Sequence, residues 1–245
     1  MFRFLILSFF LVSIPTFSQN EKQVENQSLI WFTYNLNWKI NNNWHFITDF
    51  NQRQFINPEA QHLWAVRANL RKVISNKWDF GLGGSLFMRK TNDPNALNTL
   101  LVPELRPHFE FNNHQKLSFG ILNSRYRIEA RFNQNTDTNQ LSDGFTFNNF
   151  RFRYLLGYTF PIIINKKTLN EVLFVRIQDE IMINAGSKIV QNTFDQNRIY
   201  VALNYKVSPK LSFETGYLNS FQQQPSGDDF LNRNILRLTI FQIID

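Results

Sequence analysis

The chain has 245 residues, of which 43% are hydrophobic, 16% aromatic and 18% charged, and its formal net charge is +7. The aromatic content is too high for a disordered chain, the absence of cysteine excludes a disulfide scaffold, and a mean hydropathy of -0.32 excludes a bundle of membrane-spanning helices. Helix-forming residues are scarce and Phe is abundant, with 26 copies, so the composition favours β-strands.

The N-terminal segment has the pattern of an export signal. A basic residue precedes an apolar stretch at residues 4–14, and the small residues Thr16 and Ser18 stand just before Gln19. The apolar stretch is about half as long as a membrane-spanning helix requires. We therefore expect a secretory signal peptide over residues 1–18, cleaved after Ser18.

The rest of the chain, residues 19–245, shows no linker and no change of composition, so it is predicted to be one domain. Its dominant pattern is alternation of apolar and polar residues with a period of two, which indicates strands with one apolar face. Residues 150–160 illustrate the pattern: Phe150, Phe152, Tyr154, Leu156, Tyr158 and Phe160 occupy one face, whereas Arg151 and Arg153 occupy the other.

Eleven strands are predicted in this way. Their approximate ranges are 29–40, 44–56, 62–74, 78–90, 100–111, 116–132, 145–160, 169–183, 197–207, 210–222 and 231–243. Tight turns, for example at residues 41–43 and 112–115, alternate with longer polar loops such as residues 91–99, 133–144, 184–196 and 222–230. Short turns at one rim and long loops at the other are typical of a bacterial outer-membrane β-barrel.

The polar faces decide between this barrel and a soluble β-protein, the alternative fold. They carry many arginines together with Gly and Asn, whereas a soluble sandwich or barrel would expose Lys, Glu, Ser and Thr there. We therefore predict an all-β, transmembrane antiparallel barrel of ten to twelve strands. Twelve is favoured, because such barrels normally have an even number of strands and residues 21–28 could supply one more.

Two local features accompany this prediction. The tryptophans Trp38, Trp44 and Trp78 flank the first two tight turns, where an aromatic girdle meets the membrane surface. The apolar pattern of residues 116–132 changes phase, and a β-bulge near Asn123 would restore it.

Charged residues on the polar faces are the candidate lining of the barrel lumen. Fourteen arginines face seven acids in this interpretation, which leaves a positive surplus of seven. The main candidates are Arg53, Arg67, Arg71, Arg106, Glu110, Arg125, Arg127, Glu129, Arg151, Arg153, Arg176, Glu180, Arg198, Glu214 and Arg237; Arg89, Arg131, Arg233, Asp49, Asp79 and Glu104 complete the count.

Two functions follow from this lining. In the first, Arg and Glu pair across neighbouring strands and fill a narrow lumen, so that the role of the barrel is structural or lies in its loops. In the second, the barrel is a porin-like channel that favours small anionic solutes. The expected partners are outer-membrane lipid and, during insertion, the barrel-assembly machinery, with anionic solutes added in the second case.

Enzymatic chemistry is not expected. None of the four histidines has a serine two residues further on, and no short His spacing or carboxylate cluster indicates a metal site. No cofactor is predicted. Nucleic acid is not an expected partner, because the arginines lie on strand faces beneath the loops.

The sequence also resembles a known family, the bacterial outer-membrane barrels grouped as domain of unknown function 2490, over nearly all of residues 19–245. The resemblance rests on Trp31, the strand with Trp44 and Arg53, the segments 125–131 and 151–154, and the closing strand around Leu236 and Leu238. It implies a β-barrel of the outer membrane and provides no catalytic residue or substrate.

Overall fold

The structure is a computed structural model that describes residues 22–97, 100–164 and 171–245. The predicted signal peptide, residues 1–18, lies outside the described residues. No helix in the described ranges is long and apolar enough to cross a membrane.

Eleven strands make up nearly all of the described chain, and each one corresponds to a predicted strand. They are β1 (Gln23–Lys39), β2 (Trp44–Phe55), β3 (Ala60–Val73), β4 (Trp78–Arg89), β5 (Val102–Leu117), β6 (Gly120–Asp137), β7 (Gln140–Ile164), β8 (Glu171–Ala185), β9 (Phe194–Ser208), β10 (Leu211–Gln223) and β11 (Asp229–Ile244).

The strands close into a single barrel in which each pairs with its neighbours in the sequence. All of these sequential pairs are antiparallel, whereas the closing pair of β1 and β11 is parallel, with Gln23 opposite Asp229 and Trp31 opposite Arg237. Parallel closure follows from the odd number of strands, because the first and last strands then run in the same direction.

The strand count lies within the predicted range of ten to twelve. Residues 21–28 do not supply the separate twelfth strand, because residues 23–28 form the beginning of β1 and pair in register with β11. Residue 21 lies outside the described chain.

The longest connections all lie at one rim, as the sequence predicts. At the rim where β1 ends, the described connections are residues 40–43, 74–77, 118–119 and 209–210, and we call it the short-turn rim. The opposite rim, the long-loop rim, carries the connections 56–59, 90–101, 138–139, 186–193 and 224–228.

Two polar segments predicted to be connections are strands instead. Residues 133–144 form a long hairpin whose tip residues Thr138 and Asn139 adopt positive φ angles of 41° and 67°, and Gln134 donates to the Ser142 carbonyl across it at 2.6 Å. Residues 112–115 belong to β5, where Asn112 donates to Asp79 at 2.7 Å. In both segments the polar side chains bind other protein groups, so their polarity does not indicate a turn.

The predicted bulge near Asn123 is also wrong. The pairing of β5 with β6 keeps one register from Leu117 and Gly120 up to Glu104 and Asn133. The apolar pattern of residues 116–132 changes phase because this segment contains two strands joined by the turn at residues 118–119. After the turn, Ile121 lies at the rim on the same face of β6 as Arg125. The register shifts of β6 occur further along, next to Arg131 and Gln134.

The outer surface of the barrel is apolar along the middle of the strands. On β9, for example, Ile199, Val201, Leu203, Tyr205 and Val207 are all exposed, with Leu203 at 46%. The residues between them, Tyr200, Ala202 and Asn204, are buried. The closed sheet is therefore apolar outside and polar inside, the reverse of a soluble barrel.

Candidate functional site

The barrel interior contains a continuous chain of ion pairs that crosses six strands, from β3 to β8. It joins acids and arginines alternately in the order Asp79, Arg71, Glu110, Arg127, Glu129, Arg153, Glu180 and Arg125. The N–O distances along it range from 2.5 Å between Arg127 and Glu110 to 3.5 Å between Arg127 and Glu129. Because each internal member binds two opposite charges, this chain fixes the side chains of half the barrel wall.

Glu110 is the most enclosed acid of this chain, with no exposed surface. Its register partner on β6 is Arg127, which donates to it through Nε at 3.0 Å and through Nη2. Arg71 and Asn69 of β3 donate to Glu110 from the other side, at 3.0 Å and 2.7 Å. Asn112 also donates to it at 3.3 Å, so two guanidinium groups and two amides compensate the burial of this carboxylate.

A second cluster lies nearer the long-loop rim. Glu104 has no exposed surface and accepts bonds from Arg106 at 2.9 Å and 2.8 Å and from Nε of Arg131, with Arg89 at 3.8 Å. The guanidinium of Arg106 also stacks on Phe87, 3.8 Å from the ring centroid. This cluster ties β4, β5 and β6 together above the long chain of ion pairs.

The opposite wall, made of β9, β10, β11, β1 and β2, is different because its arginines have few acidic partners. Its three buried or half-buried acids all pair with arginines of the other wall: Asp49 with Arg67, Asp195 with Arg151, and Glu214 with Arg176, at 2.8 Å, 3.0 Å and 3.2 Å. Its own four arginines, Arg53, Arg198, Arg233 and Arg237, are thus left with amide or aromatic partners, apart from a contact of 4.0 Å between Arg198 and Glu180.

Arg53 shows this lack of acidic partners most clearly. The side chain is 8% exposed, its Nε donates to Asn51 at 2.7 Å, and its guanidinium stacks on Trp31 at 3.8 Å from the ring centroid. Within the described residues, its terminal nitrogens have no hydrogen-bond acceptor.

Two cavities lie inside the described part of the barrel, and they adjoin each other. The larger, of about 240 Å³, lies towards the short-turn rim, and the smaller, of about 70 Å³, lies towards the long-loop rim. Five residues line both cavities and so lie where the two meet: Trp31, Arg53, Arg67, Arg153 and Arg198. We call these five residues the septum.

The larger cavity is open to solvent. Arg71, Arg125 and Arg176 in its lining keep 27%, 24% and 27% of their side chains exposed. Within the septum, Trp31 is 4% exposed, whereas the side chains of Arg198 and Arg67 are 17% and 22% exposed. The Arg89 side chain, which lines the smaller cavity, is 34% exposed, so solvent reaches the interior from both rims.

A family model described as a protein of unknown function, DUF2490, matches residues 29–231. The chain belongs to this family. No curated protein matches the sequence. The crystal structure of the NanC porin in a rhombohedral form is similar in fold, with a TM-score of 0.51 and 13% sequence identity, over 86% of this chain and 90% of that chain.

The structure of this DUF2490 barrel places all the candidate charged residues on strands. Most form the two clusters described above, whereas Arg53, Arg198 and Arg237 lie together near Trp31 and Tyr200 on the other wall. The three tryptophans Trp38, Trp44 and Trp78 lie at the short-turn rim, where Lys72 contacts the Trp44 ring at 5.4 Å.

Sequence reasoning missed one charged residue of the DUF2490 barrel interior, Asp195. It is 2% exposed and pairs with Arg151 at 3.0 Å, although its position in the alternation of β9 points outward. A register shift between Met182 and Ile183 makes it the extra residue of a bulge, which turns its side chain inward. Strict alternation could not predict this placement. Among the described residues, eight acids and fourteen arginines face the interior.

The histidines of the DUF2490 barrel have hydrogen-bond partners of a structural kind. His114 lies 2.7 Å from both Asn123 and Asp79, and His45 lies 3.1 Å from Asn37. Across the described residues, no group of three or more His, Asp or Glu side chains is arranged to hold a metal ion.

Proposed function

We propose that this protein is an exported outer-membrane β-barrel with a narrow, arginine-rich interior that is closed to ion flow, and that its role is non-enzymatic and structural or carried by its loops. Export relies on the predicted signal peptide over residues 1–18, cleaved after Ser18. The partners are outer-membrane lipid and, during insertion, the barrel-assembly machinery.

The observation that carries the closed state is the septum. Trp31 and the Arg53 guanidinium 3.8 Å from its ring centroid lie where cavities of about 240 Å³ and 70 Å³ meet, and neither of these cavities runs the length of the barrel. The ion-pair chain from β3 to β8 holds the facing side chains in place. Opening a pore would require these buried pairs to separate, which is costly.

A second candidate function is a porin-like channel for small anionic solutes. It is favoured by the charge of the interior, where fourteen arginines exceed eight acids by six, and by the fold similarity to the NanC porin. Basic rings of this kind favour anions in pores.

Conductance in a planar bilayer distinguishes the two. We expect no unitary current steps from the purified, folded protein over a wide voltage range in a salt gradient. Anion-selective steps that weaken in an Arg151→Ser, Arg153→Ser double variant would instead support the channel, and selectivity should then be greatest at low salt, where screening is weak. Cation-selective steps would contradict both candidates.

A further inference from the structure

Resting on the proposed barrel, we infer that the septum and the wall behind it form a binding site for a small oxyanion, a carboxylate or a phosphate, that enters from the short-turn rim. The site consists of Arg53, Arg198 and Arg237, with Trp31 and Tyr200 as its aromatic walls. All five residues line the larger cavity.

The first argument is the uncompensated charge. Arg53 and Arg237 have no carboxylate within ion-pair distance among the described residues, and Arg198 has only Glu180 at 4.0 Å. The three buried or half-buried acids on their own wall each pair with an arginine of the other wall. Three guanidinium groups around one cavity repel one another and favour a bound anion, and among the described residues only Glu180, at 4.0 Å from Arg198, brings a carboxylate near them.

The second argument is the surplus of hydrogen-bond donors. Among the described residues, the terminal nitrogens of Arg53 donate to no protein group and line the cavity, and the buried Nε atoms of Arg198 and Arg237 have no hydrogen-bond partner. Nε1 of Trp31 is a further buried donor without a partner. Since guanidinium and indole groups only donate, the missing partner must be an acceptor.

The aromatic contacts hold the guanidinium groups beside the cavity. Arg53 and Arg198 lie 3.8 Å and 5.4 Å from the centroid of Trp31, and Arg237 lies 5.3 Å from that of Tyr200. A cation–π contact does not use the N–H groups of a guanidinium, so they can still donate to oxygen atoms. The planar, forked geometry suits an oxyanion better than a spherical halide.

The size of the cavity limits the ligand. About 240 Å³ holds an inorganic oxyanion or a short organic acid with its water. The exposed portions of Arg71 and Arg176 mark the open end, at the short-turn rim.

The test is a binding measurement on the folded protein in detergent, with sodium phosphate and sodium acetate as probes and sodium chloride at matched ionic strength as reference. We expect both oxyanions to bind saturably by calorimetry and to raise the unfolding temperature more than chloride does. The Arg53→Gln and Arg237→Gln variants should each weaken binding by about tenfold or more, since each removes a charge-assisted hydrogen bond.

Arg233→Gln is the matched control. It removes the same charge from the same wall, but Arg233 already donates to Gln27, Gln222 and Asn92 at 2.8 Å, 2.9 Å and 3.0 Å and lines only the smaller cavity. The affinity of the Arg233→Gln variant for phosphate should stay within about twofold of the affinity of the unmodified protein. Arg53→Lys provides a second variant: it keeps the charge and should still weaken oxyanion binding, because the forked donor is lost.

Three results would overturn the inference: no saturable oxyanion binding to a correctly folded barrel, equal responses to oxyanions and chloride, or an equal loss of affinity in Arg233→Gln. These outcomes are separate from the conductance test, since a barrel that conducts ions could bind oxyanions at this site and a closed barrel could fail to.

Discussion

At the scale of single residues, the exposed apolar side chains are the ones that a membrane would cover. Leu203 lies midway along the apolar face of β9, between Val201 and Tyr205, and Val207 ends the same face at the short-turn rim. Leu203 and Val207 share a strand and a face but would lie at different depths in the bilayer. They are therefore a matched pair for testing whether this face contacts lipid.

We expect Leu203→Arg to lower the free energy of unfolding by roughly 2 to 4 kcal/mol, because the arginine would lie near the bilayer midplane. Val207→Arg should cost about 0 to 1 kcal/mol, because it would lie near the interface. Urea unfolding of the protein folded into lipid vesicles measures both. Equal, small effects at the two positions would contradict burial of this face in lipid.

Near the proposed anion site, the interior is packed so closely that position 216 has no space for a side chain. At Gly216 of β10, a Cβ atom would lie 2.5 Å from Cβ of Ala202 and 2.7 Å from the Tyr200 ring. Glycine here allows the ring of Tyr200 to pack against the wall, where its hydroxyl donates to Glu214 at 3.0 Å. This glycine therefore fixes one aromatic wall of the site.

At the scale of strands, the direct cross-strand pair of Glu110 on β5 and Arg127 on β6 is the central link in the ion-pair chain. Glu110→Gln leaves Arg127 and Arg71 without their shared acid in an enclosed space. We expect the free energy of unfolding to fall by about 3 to 5 kcal/mol. The Glu110→Gln, Arg127→Gln double variant should lose less than the sum of the single losses, because the two residues interact directly.

A double-mutant cycle by chemical unfolding measures this coupling. The control is Asp245→Asn, which breaks the ion pair between Lys210 and Asp245, whose side chains are 59% and 58% exposed. Solvent screens that pair, so its loss should leave the unfolding midpoint unchanged. Additive losses for Glu110 and Arg127 would show that the pair is not a stabilising unit.

The strands themselves could be predicted from the sequence because their alternation is a direct consequence of having one apolar and one polar side. The limits of each strand were harder to predict. Asn112 and His114 lie in a run of polar residues typical of a turn, yet they bind Asp79 inside the barrel. In a barrel with a polar interior, polarity indicates contact with the inside as well as exposure to water.

The arrangement of charges could be predicted only in part. The alternation of side chains along a strand assigns each arginine to one face, but it does not indicate which acid that arginine binds. Arg153, for instance, binds Glu129 of the preceding strand and Glu180 of the following one. One wall of the barrel pairs its arginines with acids and the other does not, and this difference depends on how the strands are aligned across the barrel. The inward direction of Asp195 depends on a β-bulge that the apolar–polar alternation does not reveal.

At the scale of the whole molecule, the proposed location has a direct test. In a fractionated Gram-negative host, we expect the processed chain beginning at Gln19 to sediment with the outer membrane and to require detergent for release. Unheated samples should migrate differently from boiled ones on a denaturing gel, because a closed sheet with every strand paired resists unfolding in mild detergent. Recovery of the protein in the soluble periplasmic fraction would contradict the proposal.

Closure of the barrel by its first and last strands also affects the order in which the molecule can assemble. Ten of its eleven strand pairs join consecutive strands, whose pairing closes only short loops, whereas the pairing of β1 with β11 brings together residues as distant in sequence as Gln27 and Arg233, 206 positions apart. The entropy cost of loop closure grows with the length enclosed, so this pairing is the slowest to be gained by chance encounter. Until it forms, β1 and β11 both present unpaired backbone edges. We therefore expect the pairing of β1 with β11 to form last and to convert an open, curved sheet into a closed barrel.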